Sequence, residues 1–350
     1  MMAFRRGSAP RHGWFRTRAK RRMLKNFHSR LPLASIASGL ITMIHKTIHG
    51  TRVPALGLGT WQLTGDACRD AVTHALEIGY RHIDTAQAYG NEEQVGRAID
   101  EATVSRSDLF LTTKVWHTNL APADVRASTD ESLRKLRTDY VDLLLIHWPV
   151  ERVPLEDTLD ALVALRDAGK TRHIGVSNCT PTLVRRARDH LDGAAPLFAN
   201  QVEYHPFLGQ DALRALARET GHMLTAYSPL ARGSVVTREA SPRRALKALK
   251  EPGTVGEKAR RAWEHLAGNG TGVLQAIGEA HGKSPAQVAL RWLVQQDAVT
   301  AIPKAARPEH RAANIDIFDF ELSDAEMQSI AALDQGERYV DPSFAPTWES

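Results

Sequence analysis

Four side chains with complementary proton chemistry occur at the ends of apolar segments. Asp84, Tyr89, Lys114 and His147 supply a carboxylate, a phenol, an amine and an imidazole. In a (β/α)8 barrel, the carboxyl ends of the strands bring catalytic side chains together at one face. Singly, such residues are more often turn caps or core histidines, but four matching types at successive strand ends favour a shared site. We interpret them as the proton-donating centre of a carbonyl reductase that takes its hydride from a nicotinamide.

Each of the four residues has a distinct predicted role. Tyr89 would donate a proton to the developing alkoxide, and a neighbouring cation would lower its ordinary pKa of about 10. Lys114 would supply that cation, and Asp84 would pair with it. His147 would bind the carbonyl oxygen and orient it. This chemistry needs no metal ion, and the sequence has no CxxC or Cys/His cluster that would predict a zinc site.

The elements that must position these residues follow from an alternation of short apolar runs and amphipathic stretches after residue 45. A turn at Gly50 predicts a small hairpin over residues 48–54. Helical periodicity covers 66–78, 92–101 and 122–136, and Asn91 is the predicted cap of the second of these helices. The apolar runs predict strands over residues 55–60, 81–85, 109–115, 141–147, 173–177, 198–203, 223–228 and 298–302. Eight strand–helix units predict an α/β fold, the (β/α)8 TIM barrel.

One segment, over about 234–270, does not fit the alternation. It contains eight Lys or Arg and four Asp or Glu, and Pro242, Pro252 and Gly253 interrupt it. Because it follows the seventh barrel strand at its carboxyl end, it should overhang the mouth of the barrel. Two interpretations stay open, a lid over the cofactor or a tolerated surface excursion, and we favour the excursion.

The basic charge of the chain is concentrated at its N-terminus. The formal net charge is +5, yet residues 1–41 contain ten Lys or Arg and no Asp or Glu. Removing these ten from the 45 basic residues leaves 35 against 40 acidic ones, a net charge of −5. The folded body is therefore acidic, and no aromatic-interleaved basic motif predicts nucleic-acid binding.

We predict that residues 1–42 form a disordered basic extension in front of a barrel over 43–350, or that translation starts at Met43. Alternatives are a transit peptide, from the basic run over 16–25, and a twin-arginine export signal at Arg21-Arg22. The apolar stretch over residues 31–41 has 11 residues, which is too short to span a membrane.

The cysteine content indicates the compartment. Cys68 and Cys179 are the two cysteines of the chain. So few cysteines in a chain of this size predict no disulfide framework and a reducing compartment, which we take to be the cytoplasm.

Several long motifs resemble those of the aldo-keto reductase superfamily. The similarity is strongest to the bacterial 2,5-diketo-D-gluconate reductases of the B type, whose members also reduce methylglyoxal. It covers residues 43–350 apart from the insertion. The segments that carry it are Gly57-Leu-Gly-Thr-Trp61, Gly79-Tyr-Arg-His-Ile-Asp-Thr-Ala-Gln-Ala-Tyr-Gly-Asn-Glu92, Leu136-Arg-Thr-Asp-Tyr-Val-Asp-Leu-Leu-Leu-Ile-His-Trp-Pro149, Ile174-Gly-Val-Ser-Asn178, Asn200-Gln201 and Ile302-Pro-Lys304.

The resemblance implies a TIM barrel with an N-terminal hairpin and a C-terminal loop over the active-site face. It places the catalytic tetrad at the four residues introduced above, with Tyr89 protonating the oxygen while hydride moves to the carbonyl carbon. The cofactor residues that it implies are Ser177, Asn178 and Gln201 for the carboxamide, Tyr227 for stacking on the nicotinamide, and Ser228, Leu230 and Lys304 for the phosphates and ribose. No GxGxxG fingerprint is present, as expected for a barrel rather than a Rossmann domain.

The segment after Lys304 departs from the family pattern. Family members often have Ser next, Arg six residues beyond the lysine, and then Glu-Asn. The corresponding residues here are Ala305, His310, Ala313 and Asn314. The Ser and Arg clasp the 2′-phosphate that distinguishes NADPH from NADH, and a neutral histidine is a weaker phosphate ligand than a guanidinium.

His310 and Asn314 remain predicted cofactor residues despite this departure. Arg307 and Arg311 lie nearby in the sequence and could compensate for the missing arginine. We therefore predict NADPH as the cofactor, with reduced discrimination against NADH.

Aromatic side chains dominate the predicted substrate pocket, formed by Trp61, Trp116, His147 and Trp148, with Trp348 as a candidate to close it. Such walls suit small or flat carbonyl compounds. We expect reduction of methylglyoxal-like α-oxo aldehydes or diketogluconate-like keto sugars. The alternatives are a broad-specificity aldehyde reductase and, from another class, a nucleotide-binding, redox-sensing partner subunit. The predicted partner is the small carbonyl substrate, and we expect a monomer that binds neither nucleic acid nor membrane.

Overall fold

A computed structural model describes residues 43–236, 252, 254 and 269–349. The predicted basic extension over 1–42 lies outside the described residues. So does most of the predicted insertion over 234–270. Both therefore stay predictions.

An antiparallel hairpin precedes the barrel, as predicted. It consists of β1, His45–Ile48, and β2, Thr51–Pro54, with Ile48 paired to Thr51. The two turn residues, His49 and Gly50, have φ of 43° and 79°, which is the left-handed conformation that two-residue hairpin turns require. Ile48 and Val53 pack against interior barrel residues such as Phe198, so the hairpin closes the N-terminal end of the barrel.

Eight parallel strands form the barrel. They are β3, Leu58–Gly59; β4, His82–Asp84; β5, Phe110–Val115; β6, Val141–Ile146; β7, Thr171–Ser177; β8, Ala199–Glu203; β9, Met223–Tyr227; and β10, Val299–Ala301. Neighbours in sequence are neighbours in the sheet. A parallel bridge between Leu56 and Ala301, with Gly57 N donating to Ala301 O at 2.8 Å, joins the first and last strands. The predicted TIM barrel is confirmed.

Helices cover the outside of the barrel and alternate with its strands. They are α1, Gly65–Glu77; α2, Glu92–Asp100; α3, Pro122–Leu136; α4, Leu155–Asp167; α5, Pro181–Leu191; α6, Asp211–Thr220; α7, Asn269–His281; α8, Pro285–Gln295; α9, Pro308–Ile315; and α10, Asp324–Ala331. Their apolar faces pack on the outer faces of the strands in one continuous core. The strands are therefore buried on both faces, which explains why β6 is apolar along almost its whole length.

The prediction that the Asn91 side chain caps α2 is wrong. Asn91 occupies the N-cap position, but its side chain makes no capping hydrogen bond. It instead accepts from Thr85 Oγ1 at 2.8 Å and donates to O of Thr60 and O of Leu63. Asn91 is fully buried, and these three bonds tie the ends of β3 and β4 together beneath the catalytic face.

Candidate active site

The four predicted catalytic residues lie at the carboxyl ends of adjacent strands. Asp84 is the last residue of β4, and Lys114 is the penultimate residue of β5. His147 directly follows β6, and Tyr89 ends a 3-10 turn over Gln87–Tyr89 after β4. Because β4, β5 and β6 are parallel neighbours, their carboxyl ends bring the four side chains to one face of the barrel.

Asp84 and Lys114 form a buried ion pair on the floor of this face. Lys114 Nζ lies 2.5 Å from Oδ1 of Asp84 and donates a second hydrogen bond to O of Thr85 at 2.8 Å. The two side chains have exposed fractions of 1% or less. Burial lowers the pKa of Lys114, and the Asp84 carboxylate opposes that shift. The carboxylate thus favours a charged amine in a place that solvent does not reach.

Tyr89 lies next to this pair. Lys114 Nζ donates to the phenolic oxygen of Tyr89 at 3.3 Å, which leaves the phenol proton free to point elsewhere. Burial raises the pKa of Tyr89 well above its ordinary value, and the charge of Asp84 adds to the shift. The expected net lowering of this pKa is wrong, because desolvation of the phenolate and the Asp84 charge both raise it. Tyr89 is therefore a neutral phenol at physiological pH, and a neutral phenol can donate a proton.

His147 faces Tyr89 across the site, with the ring centroids 5.7 Å apart. Trp116 packs edge-on against the same imidazole at 5.0 Å. Burial lowers the pKa of His147 well below its ordinary value, and the positive charge of Lys114 adds to the effect. The ring is thus neutral, and its Nδ1 has no hydrogen-bond partner among the described residues. A neutral imidazole that lines a cavity can receive or polarise one polar atom of a ligand.

A cavity of about 510 Å³ opens above these residues. Its volume lies in the range of small-molecule sites. Asp84, Tyr89 and His147 line it, whereas Lys114 lies beneath Asp84 and Tyr89. The three tryptophans predicted for the substrate pocket, Trp61, Trp116 and Trp148, all line this cavity.

Five of the nine predicted cofactor residues line the same cavity, namely Asn178, Gln201, Tyr227, Ser228 and Lys304. Ser177 lies behind them and accepts a hydrogen bond from Asn178 Nδ2 at 3.1 Å. Leu230, His310 and Asn314 do not line it. Two amide side chains, one aromatic ring and an exposed lysine therefore line one cavity. Amides can bind a carboxamide, an aromatic ring can stack on a nicotinamide, and a lysine can bind a phosphate, so these residues fit a nicotinamide cofactor.

The amide residues are held in place by the catalytic face itself. Asn178, at φ 60°, donates from Nδ2 to O of His147 at 2.9 Å and accepts from Tyr227 OH at 2.8 Å. Gln201 Nε2 donates to Oδ2 of Asp84 at 2.7 Å. Residues within β8, at the end of β9 and directly after β7 are thus connected to those at the ends of β4 and β6.

Arg232 also lines the cavity, and the sequence analysis missed it. Its guanidinium lies 5.3 Å from the ring centroid of Trp61. Three residues of this loop, Ser228, Ala231 and Arg232, have φ near +50°, where a non-glycine backbone is strained. Backbone strain of this kind concentrates at ligand sites, and these three positive φ angles could not be read from the sequence.

The C-terminal segment supplies a wall of the cavity that the sequence analysis did not identify by residue. Tyr339, Val340, Asp341, Pro342 and Phe344 line it. Trp348, the predicted closing residue, does not: its ring lies 6.3 Å from that of Trp148 and 3.5 Å from the Arg338 guanidinium.

Neither a metal centre nor a membrane span is found in the described part of the chain. No group of three or more His, Cys, Asp or Glu among residues 43–236, 252, 254 and 269–349 could hold a metal ion. Over those same residues, no helix combines the length and the apolar character that crossing a bilayer requires.

Residues 55–335 match the aldo/keto reductase family. The chain belongs to that family. An aldo-keto reductase of Mycolicibacterium smegmatis is 40% identical over 294 residues, covering 83% of this chain and 92% of the relative. The methylglyoxal reductase DkgB of Escherichia coli O157:H7 is 38% identical over 300 residues, covering 85% of this chain and 99% of the relative.

Solved structures of aldo-keto reductases also resemble this chain. A crystal structure of a protein assigned as a 2,5-diketo-D-gluconic acid reductase B has a TM-score of 0.76 and 41% identity, covering 89% of this chain and 99% of the other. A Bombyx mori aldo-keto reductase, solved in complex with NADP, has a TM-score of 0.71 and 33% identity, covering 86% and 96%. The resemblance predicted from the motifs is confirmed.

In this aldo/keto reductase, the Arg311 guanidinium binds groups inside the fold. Its side chain is buried, with Nη1 donating to O of Ala305 at 3.0 Å and to O of Ala306 at 2.8 Å, and Nε lying 3.2 Å from His74 Nδ1. The guanidinium thus braces the start of α9 from inside. His310 is exposed on the first turn of that helix, and exposed Arg307 lies 3.6 Å from Glu309.

Proposed function

We propose that this aldo/keto reductase reduces small carbonyl compounds to alcohols with NAD(P)H, with Tyr89 as the proton donor. One observation carries the proposal: Lys114 Nζ lies 2.5 Å from Asp84 and 3.3 Å from the Tyr89 hydroxyl, at the floor of a cavity lined by aromatic residues. Methylglyoxal-like α-oxo aldehydes and diketogluconate-like keto sugars are the proposed substrates. The names of two relatives, a methylglyoxal reductase and a 2,5-diketo-D-gluconic acid reductase B, support this choice.

The proposed mechanism divides the work among the four residues. His147 and Tyr89 hydrogen-bond the carbonyl oxygen from two sides, which polarises it and fixes its position. Bound nicotinamide supplies the hydride. Tyr89 then gives its proton to the oxygen, and the Lys114 ammonium stabilises the phenolate that remains. Asp84 keeps that ammonium charged and aimed at the phenol oxygen.

The chain offers residues to hold the nicotinamide and its phosphates. Asn178 and Gln201 would bind the carboxamide, and Tyr227 would stack on the ring. Lys304 and Arg232 are the cations that would face the phosphates. We propose NADPH as the cofactor with weak discrimination against NADH, since the Arg311 guanidinium is already bound to backbone carbonyls. We further propose that the protein acts as a cytoplasmic monomer whose partner is the small carbonyl substrate.

The decisive experiment compares NADPH oxidation with methylglyoxal by the wild type and Tyr89→Phe. Removing a positioned proton donor should slow turnover by about 10²–10⁴-fold. The matched control is Tyr204→Phe, a buried phenol outside the cavity that donates to Gln296 Oε1 at 2.6 Å. This control should keep its turnover and lose about 1 kcal/mol of stability.

Other outcomes would support the alternatives. Turnover of generic aldehydes but not of methylglyoxal would indicate a broad-specificity aldehyde reductase. Tight nucleotide binding without turnover of any aldehyde would indicate a redox-sensing partner subunit. A Tyr89→Phe variant that retained full activity would contradict the proposed proton donor.

A further inference from the structure

The C-terminal segment is attached to the barrel at one loop before it reaches the cavity. After α10 the chain crosses the loop that follows β8. There the backbone N–H groups of Gln335 and Glu337 both donate to O of Phe207 at 3.2 Å. These two hydrogen bonds attach the segment to the loop. The segment then continues inward towards the cavity.

The next attachment is a single buried carboxylate at the end of β8. Glu203 is the last residue of that strand and its side chain is fully buried. Tyr339 N donates to Oε1 at 3.0 Å and to Oε2 at 3.1 Å, and Val340 N donates to Oε2 at 3.0 Å. His205 Nε2 lies 3.3 Å from Oε1. A buried charge is tolerated when donors satisfy it, and here the C-terminal backbone provides two of the donors.

The two residues that bind this carboxylate are the first residues of the C-terminal segment to line the cavity. Tyr339 and Val340 line it themselves. Four residues further along, the Phe344 ring stacks on His117 at 4.1 Å and lies 5.8 Å from both Trp116 and Trp148. Phe344 therefore lies four residues beyond the backbone N–H of Val340, which binds the Glu203 carboxylate.

We propose that Glu203 is a positioning residue for substrate recognition: through the backbone of Tyr339 and Val340 it sets the place of the Phe344 wall. The inference rests on the proposed function, since it names the group that shapes the substrate side of the same cavity. Glu203 does not line the cavity. Its hydrogen bonds to the backbone of Tyr339 and Val340 join it to the cavity wall, so its removal should affect substrate binding more than the chemical step.

The first test measures amide hydrogen exchange in the full chain, so it does not depend on catalytic activity. In Glu203→Gln, one acceptor oxygen becomes an NH2 group that cannot accept from a backbone N–H. The amides of Tyr339 and Val340 should exchange about tenfold faster or more, while amides of β4, β5 and β6 keep their rates. Glu101→Gln, which removes an exposed carboxylate after α2, is the matched control and should change neither set. Unchanged exchange at Tyr339 and Val340 would overturn the proposal.

The second test separates substrate binding from chemistry. With a bulky aromatic aldehyde, Glu203→Gln should raise KM about tenfold and change kcat by less than about threefold. In a full chain that carries Phe344→Ala, the same substitution should cause no further change in KM, because the wall that Glu203 positions is gone. A KM effect that persists in the Phe344→Ala chain, or a kcat loss as large as the KM change, would contradict a role through the segment.

A second variant guards against misfolding. Glu203→Asp keeps the buried charge but withdraws the carboxylate by one methylene from the two N–H groups. It should change exchange and KM in the same direction as Glu203→Gln. Absence of turnover in the wild type would refute the proposed function, whereas the exchange measurement would still decide whether Glu203 holds the segment.

Discussion

The side-chain amide of Gln201 donates to Oδ2 of Asp84 at 2.7 Å, while Oδ1 of the same carboxylate faces Lys114 at 2.5 Å. Both oxygens of Asp84 are therefore engaged, one by an amide from β8 and the other by an amine from β5. This arrangement fixes the carboxylate plane and with it the direction of the lysine. It also places Gln201, a predicted cofactor residue, in direct contact with the tetrad.

Replacing Asp84 by Asn should reduce both stability and turnover. Removing one partner of a buried ion pair leaves an uncompensated charge, which costs about 3–5 kcal/mol. Urea unfolding measures this loss. The double variant Asp84→Asn/Lys114→Met should recover much of the stability, because no unpaired charge remains, but it should stay inactive. Full turnover in the double variant would show that the pair has a structural role alone.

Replacing His310 by Arg should increase the preference for NADPH. The wild type is expected to favour NADPH over NADH by less than about 10³-fold in kcat/KM, or roughly 4 kcal/mol. A guanidinium at this exposed position can bind a phosphate bidentately, so the variant should raise the ratio by about tenfold. The gain should come from NADPH, with the kinetics for NADH unchanged. A wild-type ratio above about 10³ would contradict weak discrimination.

Much of this architecture could be predicted because its signals are local. The hairpin turn at Gly50 requires a left-handed residue, and β6 is apolar at every position except Asp142. These local signals predict the bounds of both elements to within a few residues. Asp84 and His147 stand at or just after such runs, so strand ends alone predicted that they share a face.

The rest of the site depends on contacts between distant segments. The C-terminal residues from Tyr339 to Phe344 carry no periodic pattern, and the backbone N–H of Tyr339 binds Glu203, 136 residues away in sequence. The direction of the Arg311 side chain could not be predicted from the sequence either, because it depends on hydrogen bonds to the carbonyls of Ala305 and Ala306. Asn91 has the residue type and the position of a helix cap, but its buried side chain instead donates a hydrogen bond to O of Thr60.

Stability should fall as the solution is acidified, in part through His222. Burial lowers the pKa of this histidine to about 4, and His49 contributes to the shift. In the unfolded chain its pKa is about 6.5. The unfolded state therefore binds more protons between these values, so the stabilisation is complete above about pH 6.5 and is lost as pH falls towards 4.

The size of that loss is on the order of 3 kcal/mol for His222. It can be measured as the pH dependence of the free energy of unfolding. His222→Gln should flatten the dependence between pH 4 and 6.5. An identical slope in wild type and His222→Gln would remove this histidine as the cause.

Replacing Phe344 by Ala should change which aldehydes are reduced. The ring contacts Trp116, His117 and Trp148, so its loss opens the aromatic wall on the substrate side. An aromatic aldehyde loses a stacking partner and should lose about 10–100-fold in kcat/KM, whereas methylglyoxal, which has no ring, should lose less than about fivefold. Phe320→Ala, beside His281 and outside the cavity, is the control. Equal losses for both substrates would mean that Phe344 supports the fold of the segment rather than the recognition of the substrate.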